Sequence, residues 1–469
     1  MVLKSGIIGG ILLDTNFKSR FRKWGEEQSY IPFGVFKLRL PFIHYRFEFP
    51  EFAQGFILVA LALAATAPII EGLALVELLG GNAGLAFQVA VVIVTLNTLI
   101  LLIHPSTGDP VFCGWITPAI PLTLAYLAQF DDPISRLHAV RALQYTICFV
   151  FIFLGATGFA KKIISVVPVS IRGGVLLGAA IVAVQSTIMP GGRIDGTEIS
   201  TIVGLIITFL VLYSFHFRKA ADKSKILKQI GKYGLLPGMI VALVVGMAIG
   251  ELPMPAIEWG ITPMPIAETF RALSVFTNGL PPISFFISSI PLVIAAYIIA
   301  FGDIVTAGEI VTESAKSRPD EKIVYNPGIS HIAVGIRNFI QATVAPFVPM
   351  SGPLWTGGII AVAERYKAGP KQMDSIYGGI AWFMIGKLVA LFLAPMVSGL
   401  GPVFPVAMSI TMIVTGWAAG YIAIQMLKTK EAQGIAILVG CTIAFQGAAV
   451  GLAVGLICHL LVGTVKKIK

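Results

Sequence analysis

The chain has 469 residues, of which 56% are hydrophobic and 12% charged, with a net charge of +10 and a mean hydropathy of +0.86. A water-soluble core of this length does not need so much apolar surface, whereas a bundle of bilayer-embedded helices does, which excludes a soluble enzyme. The excess of Lys and Arg sits in loops and tails between apolar stretches; there it sets topology and meets anionic headgroups, so a nucleic-acid partner is excluded as well.

In chain order, residues 1–50 hold no span and carry Lys18, Arg20, Arg22, Lys23, Lys37, Arg39 and Arg46. The apolar run at 7–13 is too short for a cleavable signal and leads into charge. Phe36-Lys37-Leu38-Arg39-Leu40 and His44-Tyr45-Arg46-Phe47-Glu48-Phe49 alternate with a period of two, the mark of short strands or a surface-lying segment. About fourteen apolar spans follow. The first set lies near 52–78, 84–103, 112–128, 140–160, 172–189, 199–217 and 234–250. The second lies near 283–312, 329–345, 352–366, 375–396, 403–426, 432–447 and 449–464. Between them runs a linker at 251–280, Pro-rich and opening with Glu251, Pro253, Pro255 and Glu258.

Basic loops (Lys161-Lys162, Arg218 to Lys232, Lys316 to Lys322, Arg365 to Lys371, Lys428 and Lys430, Lys466-Lys467-Lys469) alternate with loops nearly bare of Lys and Arg. Retained positive charge marks the cytoplasmic side, which places both termini there and the linker outside. A bacterial or archaeal plasma membrane is the expected location. About seven spans precede the linker and about seven follow, an odd number per half, so the second half inserts upside down. The expected organisation is a cytoplasmic segment at 1–50, a first repeat at 51–250, the linker at 251–280, and a second repeat at 281–469. The 49 glycines and 28 prolines suit close helix packing and broken helices.

The third span opens with Pro110-Val111-Phe112-Cys113-Gly114-Trp115-Ile116-Thr117-Pro118 and the tenth with Pro346-Phe347-Val348-Pro349-Met350-Ser351-Gly352-Pro353. Each reads as an extended stretch, a small or polar residue, a proline and then a helix, with Thr117 and Ser351 as expected caps. Two half-helices starting mid-membrane aim their positive ends at a common point. Cys113, Gly114, Trp115 and Thr117 on one side, and Met350, Ser351, Gly352 and Trp355 on the other, are therefore the candidate substrate contacts.

This pattern resembles the superfamily that joins nucleobase/ascorbate permeases, sulfate permeases and bicarbonate or borate transporters. Three further stretches are similar to it. Val167-Pro168-Val169-Ser170-Ile171-Arg172-Gly173-Gly174 matches its fifth-helix opening, Phe301-Gly302-Asp303 the Gly-Asp of the eighth helix, and Gly328-Ile329-Ser330-His331 the start of the ninth. The resemblance implies an all-α polytopic fold with a 7+7 inverted repeat. It also implies a core domain of helices 1–4 and 8–11, a gate domain of helices 5–7 and 12–14, and substrate between broken helices 3 and 10. An elevator motion of core against gate and a homodimer through the gate belong to the same expectation. Nucleobase permeases carry a Glu four residues before the helix-8 aspartate and a Glu-Asn pair at helix 10; Ile299 and Gly352-Pro353 stand at those positions. That departure tilts the reading toward a small anion.

Asp303 is a carboxylate well inside the eighth span, either the site of coupling to a proton or sodium ion or the partner of Lys387 in the eleventh span. Glu309 lies about 600° further round that helix, for substrate access or interfacial anchoring. In the first span Thr66 and Glu71 flank Pro68, which can loosen the helix and free carbonyls for an ion. Arg337 is read as a counter-charge for an anion or as the partner of an acid, and His104 and His331 as interfacial residues. The four cysteines lack metal-ligand spacing, and neither a metal nor a cofactor is expected. No HExxH, GxSxG or GxxxxGK[ST] motif points to an enzyme or an ATP-driven pump, and no repeated polar rings point to a channel. A cation-coupled transporter of a carboxylate, sulfate or bicarbonate is the leading expectation, and a nucleobase–proton symporter of the same fold the alternative.

Overall fold

The computed structural model describes residues 21–160, 162, 166–231 and 233–462, together with the backbone of 7–8 and 11–12. Lys18, Arg20, Lys161, Lys232, Lys466, Lys467 and Lys469, read as topology signals, lie outside the described residues. Helices occupy all the expected spans, and the chain is an all-α polytopic membrane protein. Among the described residues six helices are long and apolar enough to cross a membrane, or nine if each bent pair counts as one span. The remaining spans are shorter or broken, as Thr117–Leu127 and Ile376–Leu391 illustrate.

Local chemistry explains the ends. The fourth span, Pro133–Thr157, starts where the Asp132 side chain accepts the Ser135 N–H at 2.8 Å and stops at Gly158, whose φ of 70° closes the last turn. The second, Ala83–Ile100, is capped by Asn82 on Leu85 at 3.0 Å. Glu251 receives the N–H groups of Ile199 and Ser200 at 2.9 and 2.8 Å, so the end of the seventh span caps the start of the sixth. The first span is three pieces, Phe49–Ile57, Val59–Leu63 and Thr66–Gly72, bent by 43° after the first. The eighth, Ile283–Lys316, has 34 residues. At 1.5 Å each it is about 50 Å long, well beyond the ~30 Å hydrocarbon core. The thirteenth and fourteenth are the helix Lys430–Val462, broken at Gly447 with φ 85° and ψ 171°.

Packing pairs the fourth span with the ninth, the first with the eleventh, the fifth with the twelfth and with Lys430–Val462, and the sixth with the seventh. Glycines set several of these approaches: a Cβ at Gly55 would lie 1.9 Å from the Phe383 carbonyl, and one at Gly386 would lie 2.0 Å from that of Phe52. The linker is pinned to the eleventh span, with Thr262 N–H on Phe392 at 2.9 Å and Ala394 N–H on Gly260 at 3.0 Å.

The N-terminal segment is a cap built into the bundle. Of the two alternating stretches the first holds a short strand, Phe36–Leu38, which pairs antiparallel with Ile31–Phe33. The second alternating stretch is no strand: Pro41–His44 is a short helix, because Pro41 suits a first helical turn, and Phe49 already begins the first span. Arg22 joins Asp320 at 2.5 Å and Asp374 at 2.9 Å, all buried. Arg318 adds Asp320 at 2.6 Å and the carbonyls of Tyr366, Met373 and Asp374 at 2.8, 2.9 and 3.0 Å. Burial opposes the charge of Asp320, but the hydrogen bond from Arg318 and the charges of Arg318 and Arg22 outweigh it and hold the carboxyl below its ordinary value.

Candidate functional site

The third and tenth spans meet as two-residue strands, Gly114–Trp115 and Ser351–Gly352, paired antiparallel with Gly114 opposite Gly352. Ile116 N–H on Met350 at 3.0 Å and Trp355 N–H on Phe112 at 2.7 Å extend the pairing. Only glycine fits at either centre. A Cβ on Gly352 would lie 2.7 Å from the Ile116 nitrogen, and one on Gly114 would lie 2.9 Å from the Leu354 oxygen.

Arg337, fully buried in the ninth span Pro327–Val344, donates to the Gly352 carbonyl at 3.0 Å and the Gly114 carbonyl at 2.9 Å. It pairs with no acid among the described residues; its guanidinium is bonded to both strands through neutral carbonyls, which leave its charge beside the crossing. His104 sits 3.4 Å from Arg337 and 2.7 Å from Asp109. His331 contacts Tyr297 at 3.0 Å and the Pro327 carbonyl at 2.6 Å. Both histidines are buried and hydrogen-bonded, not interfacial, because each has a partner that replaces water.

The ninth span supplies more. Asn338 holds both main-chain groups of Ser351, at 3.1 and 3.2 Å. Gln341 accepts the Ser351 hydroxyl at 3.0 Å and donates to Asn97 at 2.8 Å. Sequence reasoning missed Asn338 and Gln341. The signal was Arg337, Asn338 and Gln341 on one face of a membrane helix, where unpaired polar groups are costly.

Accessibility divides the candidates. Cys113, Met350, Ser351 and Gly352 are buried, whereas Gly114, Trp115, Thr117 and Trp355 reach the surface in part. Neither expected cap operates. Thr117 lies in the 3₁₀ turn Thr117–Ala119 and reaches only the Trp115 carbonyl at 3.5 Å, while Ser351 is spent on Gln341. The tenth-span helix begins instead at Thr356, after Trp355, with no side-chain cap, and Thr356 and Gly357 are exposed. The first N–H groups of a helix have no partner within it, so the open donors lie at Thr356–Gly357, one turn beyond the expected Ser351–Gly352. Trp355 packs on Phe112 at 5.2 Å and Phe383 at 5.7 Å, and the Lys387 ammonium stands 4.6 Å above its ring. Lys387 is buried and forms no ion pair with Asp303; the aromatic faces are its neighbours instead.

Asp303 is half-buried and has no hydrogen bond or ion pair among the described residues. It shares a helical stripe with Ile310, seven residues on, which lines a groove of about 280 Å³ with Ile360 and Ala363 of the tenth span. Glu309 is exposed and lines both that groove and a larger cavity of about 840 Å³ beside Phe301, Gly308, Tyr325 and His331. Two residues grouped with Asp303 are placed elsewhere. Glu71 is half-exposed and makes a bidentate pair with Arg193 at 2.6 and 2.8 Å. The Thr66 hydroxyl donates to the Leu63 carbonyl at 2.7 Å.

No protein-family model and no curated protein matches this sequence. Solved structures do. The overall structure of SLC26A9 aligns with a TM-score of 0.52 at 15% identity over 89% of this chain, which spans 65% of that one. Murine Slc26a9, an anion transporter in the inward-facing state, aligns at 0.48 and 14% identity, covering 89% and 68% of the two chains. The transmembrane domain of a cyanobacterium bicarbonate transporter, BicA, aligns at 0.43 and 14%, covering 89% and 97%. At such identities the likeness is one of architecture alone, and the chain shares the fold of SLC26A9.

Proposed function

We propose that the chain is a secondary-active transporter of a small anion of the carboxylate, sulfate or bicarbonate class, coupled to a proton or sodium ion through Asp303. Helices 1–4 and 8–11 carry the substrate past helices 5–7 and 12–14. The observation that carries this reading is the exposed, uncapped helix start at Thr356–Gly357, with the Lys387 ammonium above the adjoining Trp355 ring. Open N–H donors and a nearby cation attract negative charge, and the helix dipole adds to both. Asp303 lies on the helical stripe of Ile310, which lines the groove beside that helix together with Glu309 and Glu313, and an acid with no partner among the described residues can take up a cation as the anion binds.

The test is binding and uptake by the purified protein in liposomes, with sulfate, bicarbonate, small carboxylates and a nucleobase compared, with and without sodium and a pH gradient. Thr356→Pro removes one N–H where proline suits the first turn and Trp355 before it is already extended, at φ −115° and ψ 100°. It is expected to weaken anion binding by about 10- to 100-fold, the range for one charge-assisted hydrogen bond, while Thr356→Ala changes it little. Binding of a nucleobase in preference to every anion, or full affinity in Thr356→Pro, overturns the proposal.

A further inference from the structure

Residues 40–49 carry an apolar plate that the transport reading does not use. Phe42, Ile43, Phe47 and Phe49 are 77%, 61%, 51% and 64% exposed. Tyr45 and His44 point the other way and are buried, with the Tyr45 hydroxyl on the Pro105 carbonyl at 2.8 Å. Phe42 and Phe47 set their edges against Trp382, at 5.1 and 4.6 Å between ring centres. Trp382 lies six residues into the eleventh span, Ile376–Leu391, so it sits about 9 Å along the helix axis from the start of that span. The plate is therefore held beside a spanning helix below its end. It continues without a break into the exposed Phe49 and Ile57 of the first span.

The segment is fixed there. Arg22 bonds to Asp320 and Asp374, Arg39 N–H to Ser106 at 2.9 Å, Gln28 to the His44 carbonyl, and Asp374 N–H to Glu48 at 2.8 Å. Buried ion pairs would break before the plate could turn away. Arg46, beside Phe47, reaches the carbonyls of Pro370 and Lys371 at 3.2 and 3.4 Å, which places basic side chains along the edge. Apolar rings next to a basic rim suit an acyl layer bordered by anionic headgroups.

We infer that residues 40–49 are an interfacial anchor, seated in the bilayer leaflet on the side of the N-terminus and fixed to the bundle through the cap. The occupant of the plate is lipid.

Spin labels at Ile43→Cys and, as a second variant, Phe42→Cys, in a Cys441→Ser/Cys458→Ser background in nanodiscs containing phosphatidylglycerol, test this by collision with oxygen and with a nickel chelate. The expected result is higher accessibility to oxygen than to nickel at both sites, matching a label at Phe149→Cys on the outer face of the fourth span. Higher nickel accessibility at 42 and 43 places the plate in water and overturns the inference. Protection from both reagents places it against a second copy of the chain and overturns it equally. Loss of the oxygen signal at position 149 as well would instead unseat the reading of the chain as membrane-spanning.

Discussion

Asp303 is half-buried on a membrane helix and Asp320 is buried among arginines, and these surroundings set the two acids apart. Asp303 has no partner among the described residues, as the proposed coupling requires; on that proposal Asp303→Asn is expected to abolish accumulation against a gradient while the protein still purifies folded. Uptake at the normal level in the variant would remove the coupling role. Asp320 is held by two arginines, and its native carboxyl titrates below the unfolded value of about 3.9. Its contribution to stability is thus complete above that value and is lost as pH falls through the native one. Asp320→Asn should lower stability by about 3–5 kcal/mol near neutral pH, seen in detergent as a lower Tm. It should also flatten the Tm profile below about pH 4. Neighbouring Glu321, raised by burial, works in the other sense, so the comparison must be between wild type and variant.

The broken helices were legible as elements because proline and glycine leave a mark in sequence whatever surrounds them. Pro110 to Pro118 and Pro346 to Pro353 located the crossing, and the structure pairs Gly114 with Gly352 there. Gly352→Ala is expected to disrupt this pairing, because its Cβ would meet main-chain atoms at 2.7 Å, and to cost enough stability that the variant shows a sharply lower yield of monodisperse protein. A normal Tm in that variant would mean the strands can shift. The individual contacts were less legible. Which of Ser351 or Thr356 faces open space depends on where helical hydrogen bonding begins, and that was set by Asn338 and Gln341 on the preceding helix, whose side chains fold back onto Ser351 in a way no local pattern announces. Glu71 misled for a similar reason: Pro68 beside it is a local signal, while Arg193, its partner, lies 122 residues on.

For the molecule as a whole, Glu71–Arg193 joins the end of the first span to the turn between the fifth and sixth, and the Ser409 hydroxyl of the twelfth span donates to the Arg193 carbonyl at 3.2 Å. On the proposed division into two moving bodies, this contact bridges them. A half-exposed pair adds about 0–1 kcal/mol to stability, so Glu71→Gln should leave Tm nearly unchanged. Joining the positions as Glu71→Cys/Arg193→Cys with a bis-methanethiosulfonate cross-linker that spans the lost side chains should stop transport, and reductant should restore it. Transport that continues in the cross-linked protein would show that the two bodies need not separate there.

Arg337 has a consequence for the order in which the protein can be made. It lies 223 residues after Gly114, whose carbonyl it secures. At roughly 5–20 residues per second the ribosome needs about 10–45 s to cover that distance. Throughout that interval the third span waits in the bilayer with its strand edge unpaired, and nothing encoded before the ninth span can close it. A nascent chain arrested short of Arg337 should therefore remain a target for membrane chaperones and proteases, and one arrested beyond the tenth span should escape them.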